Sequence, residues 1–476
     1  MVILKVNHID TKILNAQVEQ IEDIKDLISY STKEFYRSKS VTVKRTLYNL
    51  EGRSFPTGLL SNVVKYLKKH NIKYEIEDSR EVCFEDSIPL YNVTPRDYQL
   101  YAVEQGVKKQ RGIVLIATGG GKTVVAAAII AQLNVPTMFC VHTIDLLKQT
   151  YDEFSKFLQV PIGIVGGGQV KIEKFNICMI QTLGHALNFK YIPADEFDTY
   201  AEESPDMKSK MDILKMINAT RCVIVDECHH VSAMTYVNLM SSLPDASFRY
   251  GLSATPFRDD GRDLILHAFA GKLLCKISAS YLIKQGFLMK PTIYIVDSSN
   301  KVAMYATDTT ANYNSVYKDY VVENEYRNGI IEEYADFFYK KNRKILILVT
   351  QVTHGKALYN KIKKFDSKVQ LLTGEVDTDL RTKLIKQMKN GELNIIIGTS
   401  LADEGLDIPI LDTLILAGGG KSSVKALQRV GRILRLHQDK KNPIVIDFND
   451  NAKFLLSHSR KRWSIYKTEE EFKIAH

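Results

Sequence analysis

The sequence predicts an α/β protein in which two tandem, doubly wound parallel-sheet domains follow a small α+β domain. The first observation is a repeated alternation. Between residues 111 and 254, and again between 343 and 448, short β-branched runs alternate with helical patterns. Apolar strands separated by helices of roughly 10–15 residues are typical of parallel sheets that helices cover on both faces. The second observation is the length of 476 residues, which corresponds to about three domains at roughly 150 residues each.

The N-terminal residues 1–88 lack this alternation, so we expect domain boundaries at 1–88, 89–275 and 276–476. The candidate strands of the first α/β domain are the segments IVLIAT, PTMFCV, NICMI, RCVIVD and YGLSA. Those of the second are KILILV, VQLL, NIIIGT, LDTLILA and PIVIDF. Their continuous apolar character predicts strands that are buried on both faces.

The front domain carries a local excess of basic residues. Between Tyr36 and Lys73 there are nine basic side chains and a single acid, Glu51. This bias predicts a surface that binds nucleic-acid phosphates, with an ordinary solvated face as the alternative. The candidate contacts are Arg53, Lys65, Lys68 and Lys69. The acidic run 195–206 predicts a solvated surface insertion, with exclusion of nucleic acid from one face as the alternative.

Composition restricts the class of protein. Hydrophobic residues make up 45% of the chain and charged residues 25%, a mixture typical of a soluble, core-forming protein. The longest apolar run, Val124–Ala131, is shorter than the roughly 18 residues that a membrane span requires. The N-terminus lacks the pattern of a secretory signal. We therefore expect no membrane partner and a cytoplasmic location, which is the host cytoplasm if a phage encodes the chain.

The cysteines are scattered without a Cys-x-x-Cys pair. Several lie in apolar, strand-like runs, which favours buried, reduced thiols over a disulfide or metal framework. They are Cys83, Cys140, Cys178, Cys222, Cys228 and Cys275.

A glycine-rich loop follows the first candidate strand of the first α/β domain. Its residues are Ala117, Thr118, Gly119, Gly120, Gly121, Lys122 and Thr123. Glycines allow the backbone N–H groups to surround phosphates, and the following helix adds the positive end of its dipole. Lys122 can reach the β- and γ-phosphates, and the Thr123 hydroxyl can ligate Mg²⁺. The usual pattern has glycine where Ile116 stands, but the Gly-Lys-Thr core is intact.

A second motif places two acids at the end of a hydrophobic strand. Asp226 and Glu227 follow Val223-Ile224-Val225, and ligands bind at the carboxyl ends of strands in such sheets. Asp226 can hold Mg²⁺, and Glu227 can orient and deprotonate an attacking water. A metal site at Cys228 and the two histidines after it is a weaker alternative, because no second Cys/His cluster completes it. The two motifs predict hydrolysis of a nucleoside triphosphate, with ATP and Mg²⁺ as cofactors.

Two further segments complete a pattern. With Leu252-Ser253-Ala254-Thr255-Pro256 and the run from Gln428 to Arg435, residues 90–476 resemble superfamily 2 helicases of the DExH type. The resemblance implies RecA-like folds for both α/β domains. The extension Phe257–Gly261 resembles the branch that holds XPB-type helicases, restriction-enzyme motor subunits and the UvsW-type recombination helicases of phages.

The resemblance implies roles for several positions. It implies that Arg96 and Gln99 contact adenine, that Gly405 and Asp407 couple to the nucleotide, and that Ser253 and Thr255 transmit its state. It also implies that Gln428 senses the γ-phosphate and that Arg432 and Arg435, three apart and expected on one helix face, act as arginine fingers. The implied nucleic-acid contacts are His142, Gln181, Thr182, Thr373, Gly374, Thr399 and Ser400.

These roles predict an ATP-driven, monomeric DNA helicase or translocase that acts on branched or forked DNA. An XPB-like duplex translocase and an RNA helicase are alternatives within the motor class, and an ATP-gated clamp or sensor is an alternative from another class. Trp463 can stack on a base or pack the terminal helix onto the second domain, and packing is the favoured interpretation.

Overall fold

The computed structural model describes residues 1–36, 39–189, 204–229, 233–254, 263–298, 312–373, 378–399, 408–420, 423–438 and 440–475. These residues form two compact units, the first made of 1–116 and 121–276 and the second of 117–120 and 277–476. The front residues 1–88 therefore belong to the same compact unit as the first α/β sheet.

The front of the first unit is a mixed sheet with two helices. Its elements are β1 (Val2–Val6), β2 (Asp10–Leu14), α1 (Val18–Leu27), β3 (Ser29–Tyr36), β4 (Lys39–Thr46), β5 (Ser54–Pro56), α2 (Leu60–Lys69) and β6 (Tyr74–Asp78). The sheet has the order β5-β2-β1-β6, with β1 parallel to β6 and antiparallel to β2, while β3 and β4 form a separate two-stranded ribbon. Val2, Leu4 and Val6 alternate with more exposed residues, so one face of β1 is buried.

The remainder of the first unit contains a large, mainly parallel sheet. Its elements are α3 (Asp97–Lys109), β7 (Arg111–Ile116), α4 (Lys122–Leu133), β8 (Thr137–Val141), α5 (Ile144–Leu158), β9 (Ile162–Gly166), β10 (Gln169–Lys171), β11 (Phe175–Met179), α6 (Ile180–Ala186), α7 (Met207–Ala219), β12 (Cys222–Val225), α8 (Ala233–Ser241), β13 (Phe248–Ser253), α9 (Asp263–Phe269) and β14 (Leu273–Ile277). The strand order is β10-β9-β11-β8-β12-β13-β7-β14. The strands from β9 to β7 in this order run parallel, so their carboxyl ends meet at one edge.

The front sheet packs tightly against this α/β part. A methyl group on Gly58 would lie 2.2 Å from the carbonyl oxygen of His267 and 2.4 Å from that of Ala268. The Arg111 guanidinium donates a 2.7 Å hydrogen bond to the His8 carbonyl. One continuous hydrophobic core joins residues of both parts. Hence glycine at position 58 permits a close approach that any side chain would obstruct.

The second unit is built on a seven-stranded sheet. Its elements are α10 (Ala279–Lys284), β15 (Thr292–Asp297), α11 (Tyr313–Tyr317) with a π-helical turn (Lys318–Val322), α12 (Glu325–Lys340), β16 (Ile345–Leu348), α13 (Val352–Ile362), β17 (Gln370–Leu372), α14 (Thr378–Lys389), β18 (Ile395–Gly398), β19 (Thr413–Ile415), α15 (Ser423–Arg432), β20 (Ile444–Asn449), α16 (Leu455–Tyr466) and β21 (Lys473–Ala475). The order is β17-β18-β16-β19-β20-β15-β21, and neighbouring strands are parallel.

Buried ionic contacts fix the C-terminal helix α16 to this sheet. Arg462 is 2% exposed, and its guanidinium donates to both carboxylate oxygens of Asp447 at 2.8 and 2.9 Å. Tyr466 donates a 2.9 Å hydrogen bond to the same carboxylate. Arg462 also donates to the carbonyl of Gly420, in the loop that precedes α15. A two-pronged arginine–carboxylate pair fixes orientation as well as distance.

The structure confirms the predicted fold class, and each of the ten predicted strand segments overlaps an observed strand. Of the six cysteines, all free, Cys83 is exposed and the others are buried. Among the described residues, no helix has the length and apolar character needed to cross a membrane.

The close approach at Gly58 can be tested by substitution. Gly58→Ala forces the backbone near His267 to shift, and we expect it to lower the free energy of unfolding by about 1–3 kcal/mol. Gly106→Ala is the matched control, because a methyl group there meets Tyr250 at an ordinary 3.4 Å. Urea unfolding measures both, and limited proteolysis shows whether residues 1–88 detach. Equal stability of the two variants would contradict this account of the packing.

Candidate active site and nucleic-acid surfaces

The phosphate loop connects β7 to α4 and has the backbone that its glycines permit. Gly119 and Gly121 have φ values of 83° and 79°, in the left-handed region that favours glycine. A methyl group on Gly121 would lie 2.4 Å from the Gln99 amide nitrogen. Glycine is therefore required here by both conformation and space.

Lys122 meets both acids of the second motif. Its ammonium group donates a hydrogen bond to Glu227 Oε1 and lies 3.9 Å from Asp226 Oδ1. Burial by itself lowers the pKa of Lys122, but the two carboxylates outweigh burial and hold that pKa above its usual range. Burial raises the pKa of Asp226, and the neighbouring Glu227 adds to the effect. The geometry thus concentrates charge at one edge of the sheet.

Glu227 has a left-handed backbone with φ of 43°, which is uncommon for a residue with a side chain. Two contacts accompany this conformation. The Glu227 N–H donates to Asp226 Oδ1 at 2.9 Å, and Glu227 Oε2 accepts from Ala254 N at 3.4 Å. Non-glycine residues held in this region are concentrated at functional sites.

A polar chain leads from Glu227 to the end of β13. His229 Nδ1 lies 3.4 Å from Glu227 Oε2 and 2.9 Å from Ser253 Oγ. Both His229 and Ser253 are buried. This contact is the local link that a coupling role for Ser253 requires.

Arg96 and Gln99 lie at the start of α3. Arg96 is the exposed N-cap residue, and its N–H donates to Gln99 Oε1 at 2.8 Å. Its guanidinium donates to the Tyr98 hydroxyl at 3.2 Å. Gln99 is buried against the phosphate loop at Gly121. The structure therefore brings Gln99 to the loop, while Arg96 stays at the surface.

The predicted residues of the first unit follow adjacent strands. Gln181, His142, Asp226 and Ser253 lie at the carboxyl ends of β11, β8, β12 and β13, which are consecutive in the sheet. His142, Gln181 and Thr182 are each less than 5% exposed. Their contact with nucleic acid therefore stays a prediction.

In the second unit, Thr373 and Thr399 directly follow β17 and β18. Those two strands are parallel neighbours, so the threonines lie at the same sheet edge. Thr373 is half-buried and Thr399 is buried. This is the carboxyl edge, where ligands of α/β sheets bind.

Gln428 and Arg432 lie on α15, but the expectation that Arg435 continues the same helix is wrong. The helix ends at Arg432, and Ile433 and Leu434 close tighter turns by donating to the carbonyls three residues back. The Leu434 carbonyl then accepts from Met289 N, and Arg435 forms a β-bridge with Leu288. Pairing with residues 288–289 thus replaces the next helical turn.

A set of side chains that the sequence did not indicate fixes the loop before α15. Four successive carbonyls, from Ala417 to Gly420, accept hydrogen bonds from the side chains of Arg327, Tyr317, Arg429 and Arg462 in that order, at 2.6, 2.7, 3.2 and 2.9 Å. The run Gly418-Gly419-Gly420 was the one feature of the sequence that indicated an unusual loop here. In the structure, Gly419 and Gly420 have positive φ values. These contacts position the start of the arginine-bearing helix.

The basic candidates of the front domain lie at the surface. Lys65, Lys68 and Lys69 are exposed on α2, whose opposite side buries Val63 and Leu67. Arg53 is also exposed. Their arrangement permits contact with a phosphate backbone.

Several predicted residues lie outside the described ranges, namely Thr255, Gly374, Ser400, Gly405 and Asp407, together with the Phe257–Gly261 extension and most of the acidic run 195–206. In the part of the chain that the structure describes, no group of three or more His, Cys, Asp or Glu side chains could hold a metal ion.

Two family models match the chain. Residues 92–258 match the family described as "Type III restriction enzyme, res subunit". Residues 327–437 match the helicase conserved C-terminal domain.

Individual proteins agree with these matches. The DNA 3′–5′ translocase XPB2 of Sulfurisphaera tokodaii is 27% identical over 435 residues, covering 83% of this chain and 91% of that protein. The ATP-dependent DNA helicase UvsW of Enterobacteria phage T4 is 24% identical over 428 residues, covering 84% of this chain and 80% of that protein.

The fold is also that of a solved helicase. S. cerevisiae Dbp5 bound to RNA superposes with a TM-score of 0.54 at 16% identity, covering 80% of this chain and 89% of that chain. The two family models, the helicase relatives and the two RecA-like sheets together lead to one assignment: the chain belongs to the superfamily 2 helicases, is an ATPase that binds nucleic acid, and is related to UvsW and XPB.

Proposed function

We propose that this protein is an ATP-dependent DNA translocase that remodels branched or forked DNA. One observation supports a duplex-containing substrate above all. The exposed lysines of α2 belong to the same compact unit as Lys122 and the acids Asp226 and Glu227. A basic face that is packed onto a motor domain can hold duplex DNA while the motor acts on a strand.

The first step in this proposal is binding of ATP at the phosphate loop. The N–H groups of residues 118–123 and the start of α4 bind the phosphates. Lys122 leaves its carboxylate partners to contact the β- and γ-phosphates. The contact with Glu227 holds the Lys122 ammonium group close to the position where the triphosphate binds.

Glu227 then orients a water molecule and accepts its proton as the water attacks the γ-phosphorus. The bond between the γ-phosphorus and the bridging oxygen breaks, so that ADP and phosphate leave. We propose that Arg432 and Arg435 stabilise negative charge on the γ-phosphate. Gln428 senses whether that phosphate is present.

The side chains fit a magnesium ion that is bound together with the nucleotide. Mg²⁺ is commonly held by one or two protein oxygens plus substrate phosphates and waters. The Thr123 hydroxyl and the Asp226 carboxylate offer such a set, which agrees with the lack of a larger acidic cluster among the described residues. When bound, the ion neutralises charge on the β- and γ-phosphates.

We propose that the contacts of Glu227 with His229 and Ala254 report the nucleotide state to the end of β13. Ser253 moves with this chain, and Thr255, which lies outside the described residues, is proposed to transmit the same change. The threonines at the edge of the second sheet hold the strand backbone, and their contacts carry no base preference.

The relatives support DNA as the substrate, since XPB2 is a DNA translocase and UvsW is a DNA helicase. An RNA helicase remains the second candidate, because the Dbp5 structure contains RNA. An ATP-gated clamp that binds without moving uses the same residues.

The ATP site predicts the effect of two substitutions. Lys122→Ala removes the phosphate contact and Glu227→Gln removes the base, so we expect each to reduce DNA-stimulated ATP turnover by roughly 10²–10⁴-fold. Glu227→Gln should still bind ATP, as measured with a fluorescent analogue. Glu173→Gln, a carboxyl change on the surface pair with Lys171, is the control. Wild-type turnover in either site variant would exclude this assignment.

The basic face of α2 predicts a change in salt dependence. Neutralising Lys65, Lys68 and Lys69 together should weaken binding to forked DNA and reduce the slope of log affinity against log salt by about 2–3. A matched variant neutralises Lys318, Lys340 and Lys361, which each pair with a carboxylate. The same net charge change should then leave the slope near the wild-type value. If both variants changed the slope equally, net charge alone would explain binding and the proposed surface would be wrong.

A further inference from the structure

A cluster of aromatic rings in the second unit has no part in the chemistry described above. Phe454 and Tyr313 meet edge to face, with centroids 6.2 Å apart and 74° between the rings. Tyr313 also packs against His458 at 5.5 Å and Tyr317 at 5.8 Å. We call Phe454 and Tyr313, with their supports Tyr317 and His458, the aromatic platform.

Phe454 combines two unfavourable properties. Its φ of 65° lies in the left-handed region, where a bulky residue is a genuine outlier. Its side chain is nevertheless 39% exposed, and that of Tyr313 is 36% exposed. A ring that keeps this much of its surface exposed in a strained position is not a core residue, and such outliers are concentrated at functional sites.

The supporting rings hold the platform firmly. Tyr317 is buried and its hydroxyl donates to the Gly418 carbonyl at 2.7 Å, while it also lies 2.6 Å from Thr350 Oγ1. Leu455, directly after Phe454, belongs to a small core cluster with Val316 and Val321. The strained residue therefore lies between the exposed Lys453 and the buried Leu455, and Ala452 packs against the same cluster as Leu455.

The platform lies at the carboxyl edge of the second sheet. Thr350 follows β16, Gly418 follows β19, and Phe454 follows β20 after four residues. These strands are parallel and continue into β18 and β17. Thr399 and Thr373 follow those two strands, so the platform shares an edge with the residues proposed to hold the strand backbone.

Basic side chains predominate on the Phe454 side of the platform, while the exposed acids Asp319 and Glu323 follow Tyr317 on the other element, where Glu323 pairs with Lys318. Lys453 Nζ lies 5.1 Å from the centroid of the Phe454 ring, and Arg460 and Lys461 are exposed on α16. The single acid between residues 450 and 467 is Asp450. It is buried and pairs with Arg327 at 2.7 Å, so it does not offset the surface charge.

We propose that the aromatic platform is a binding site for an unpaired nucleobase of a single strand that crosses the edge of the second sheet. Aromatic rings beside cationic side chains are the combination that binds single-stranded nucleic acid, with rings stacking on bases and cations contacting phosphates. Trp463, the stacking candidate in the sequence, is half-buried on α16. We assign base stacking to the exposed ring of Phe454, whose backbone is strained.

This proposal rests on the proposed nucleic-acid motor, and the test separates the two. The probe is a fluorescein-labelled oligothymidine, titrated by anisotropy at fixed salt in the absence of nucleotide. Loss of one stacked base should weaken binding roughly 5- to 150-fold. We expect that loss for Phe454→Ala and Phe454→Gly, and near-wild-type affinity for Phe454→Tyr and Phe454→Trp.

The glycine variant distinguishes binding from folding. Glycine adopts a positive φ without strain, so Phe454→Gly should have an unchanged or higher Tm while it loses affinity. Phe337→Ala, which removes another exposed ring of the second unit, is the control and should bind as the wild type does. Unchanged affinity in the folded glycine variant overturns the proposal.

The same titration with a blunt duplex is the second part of the test. Stacking on an unpaired base predicts that the Phe454 variants bind a blunt duplex as tightly as the wild type. An equal loss on single strand and duplex contradicts the nucleobase site. Absence of binding by the wild-type protein to any DNA or RNA instead contradicts the proposed motor function.

Discussion

The interaction between Lys122 and the paired acids Asp226 and Glu227 is the constraint on which the rest of the first unit depends. It requires the carboxyl ends of β7 and β12 to lie at one edge, and the parallel order β12-β13-β7 provides this. The strained backbone of Glu227 and the left-handed glycines of the phosphate loop belong to the same edge. The Lys122 ammonium group is paired with the carboxylates of Glu227 and Asp226 before phosphate binds. In the proposed mechanism, binding of triphosphate to Lys122 frees Glu227 to orient water and Asp226 to hold Mg²⁺, so one contact prepares both parts of the chemistry.

The surfaces proposed to bind nucleic acid are supported by packing of different kinds. The lysines of α2 are carried by a front sheet that shares a hydrophobic core with the first α/β sheet, because Gly58 allows the close approach to α9. The aromatic platform is held instead by hydrogen bonds of Tyr317 to the ends of strands in the second sheet. Each surface therefore belongs to a rigid part of its own unit. A fork presents both duplex and single-stranded DNA. A protein that acts on it needs a binding surface for each, and we propose the α2 lysines for the duplex and the aromatic platform for the single strand.

Local patterns predicted a large part of this structure, and contacts between distant residues account for the rest. Gly121 and Lys122 could be predicted because the glycine-rich loop directly follows one apolar strand, and Asp226 and Glu227 because they directly follow another. The continuous apolar runs likewise predicted the ten strands. The end of α15 before Arg435 could not be predicted, since pairing with Leu288, about 150 residues earlier, decides it. The positive φ of Phe454 could not be predicted either, because a bulky side chain rarely adopts it. Whether His142 or Thr399 contacts nucleic acid also depends on exposure, which sequence does not contain.

We propose that hydrolysis at Lys122 and Glu227 drives movement on branched DNA. Strand separation of a fluorescently labelled fork and a four-way junction, followed in real time, tests this proposal. We expect unwinding with ATP and Mg²⁺, none with a non-hydrolysable ATP analogue, and slower action on matched RNA substrates. Stable binding of the fork with full ATP turnover but without strand separation or displacement of a bound roadblock protein would contradict it, and would identify an ATP-gated clamp instead.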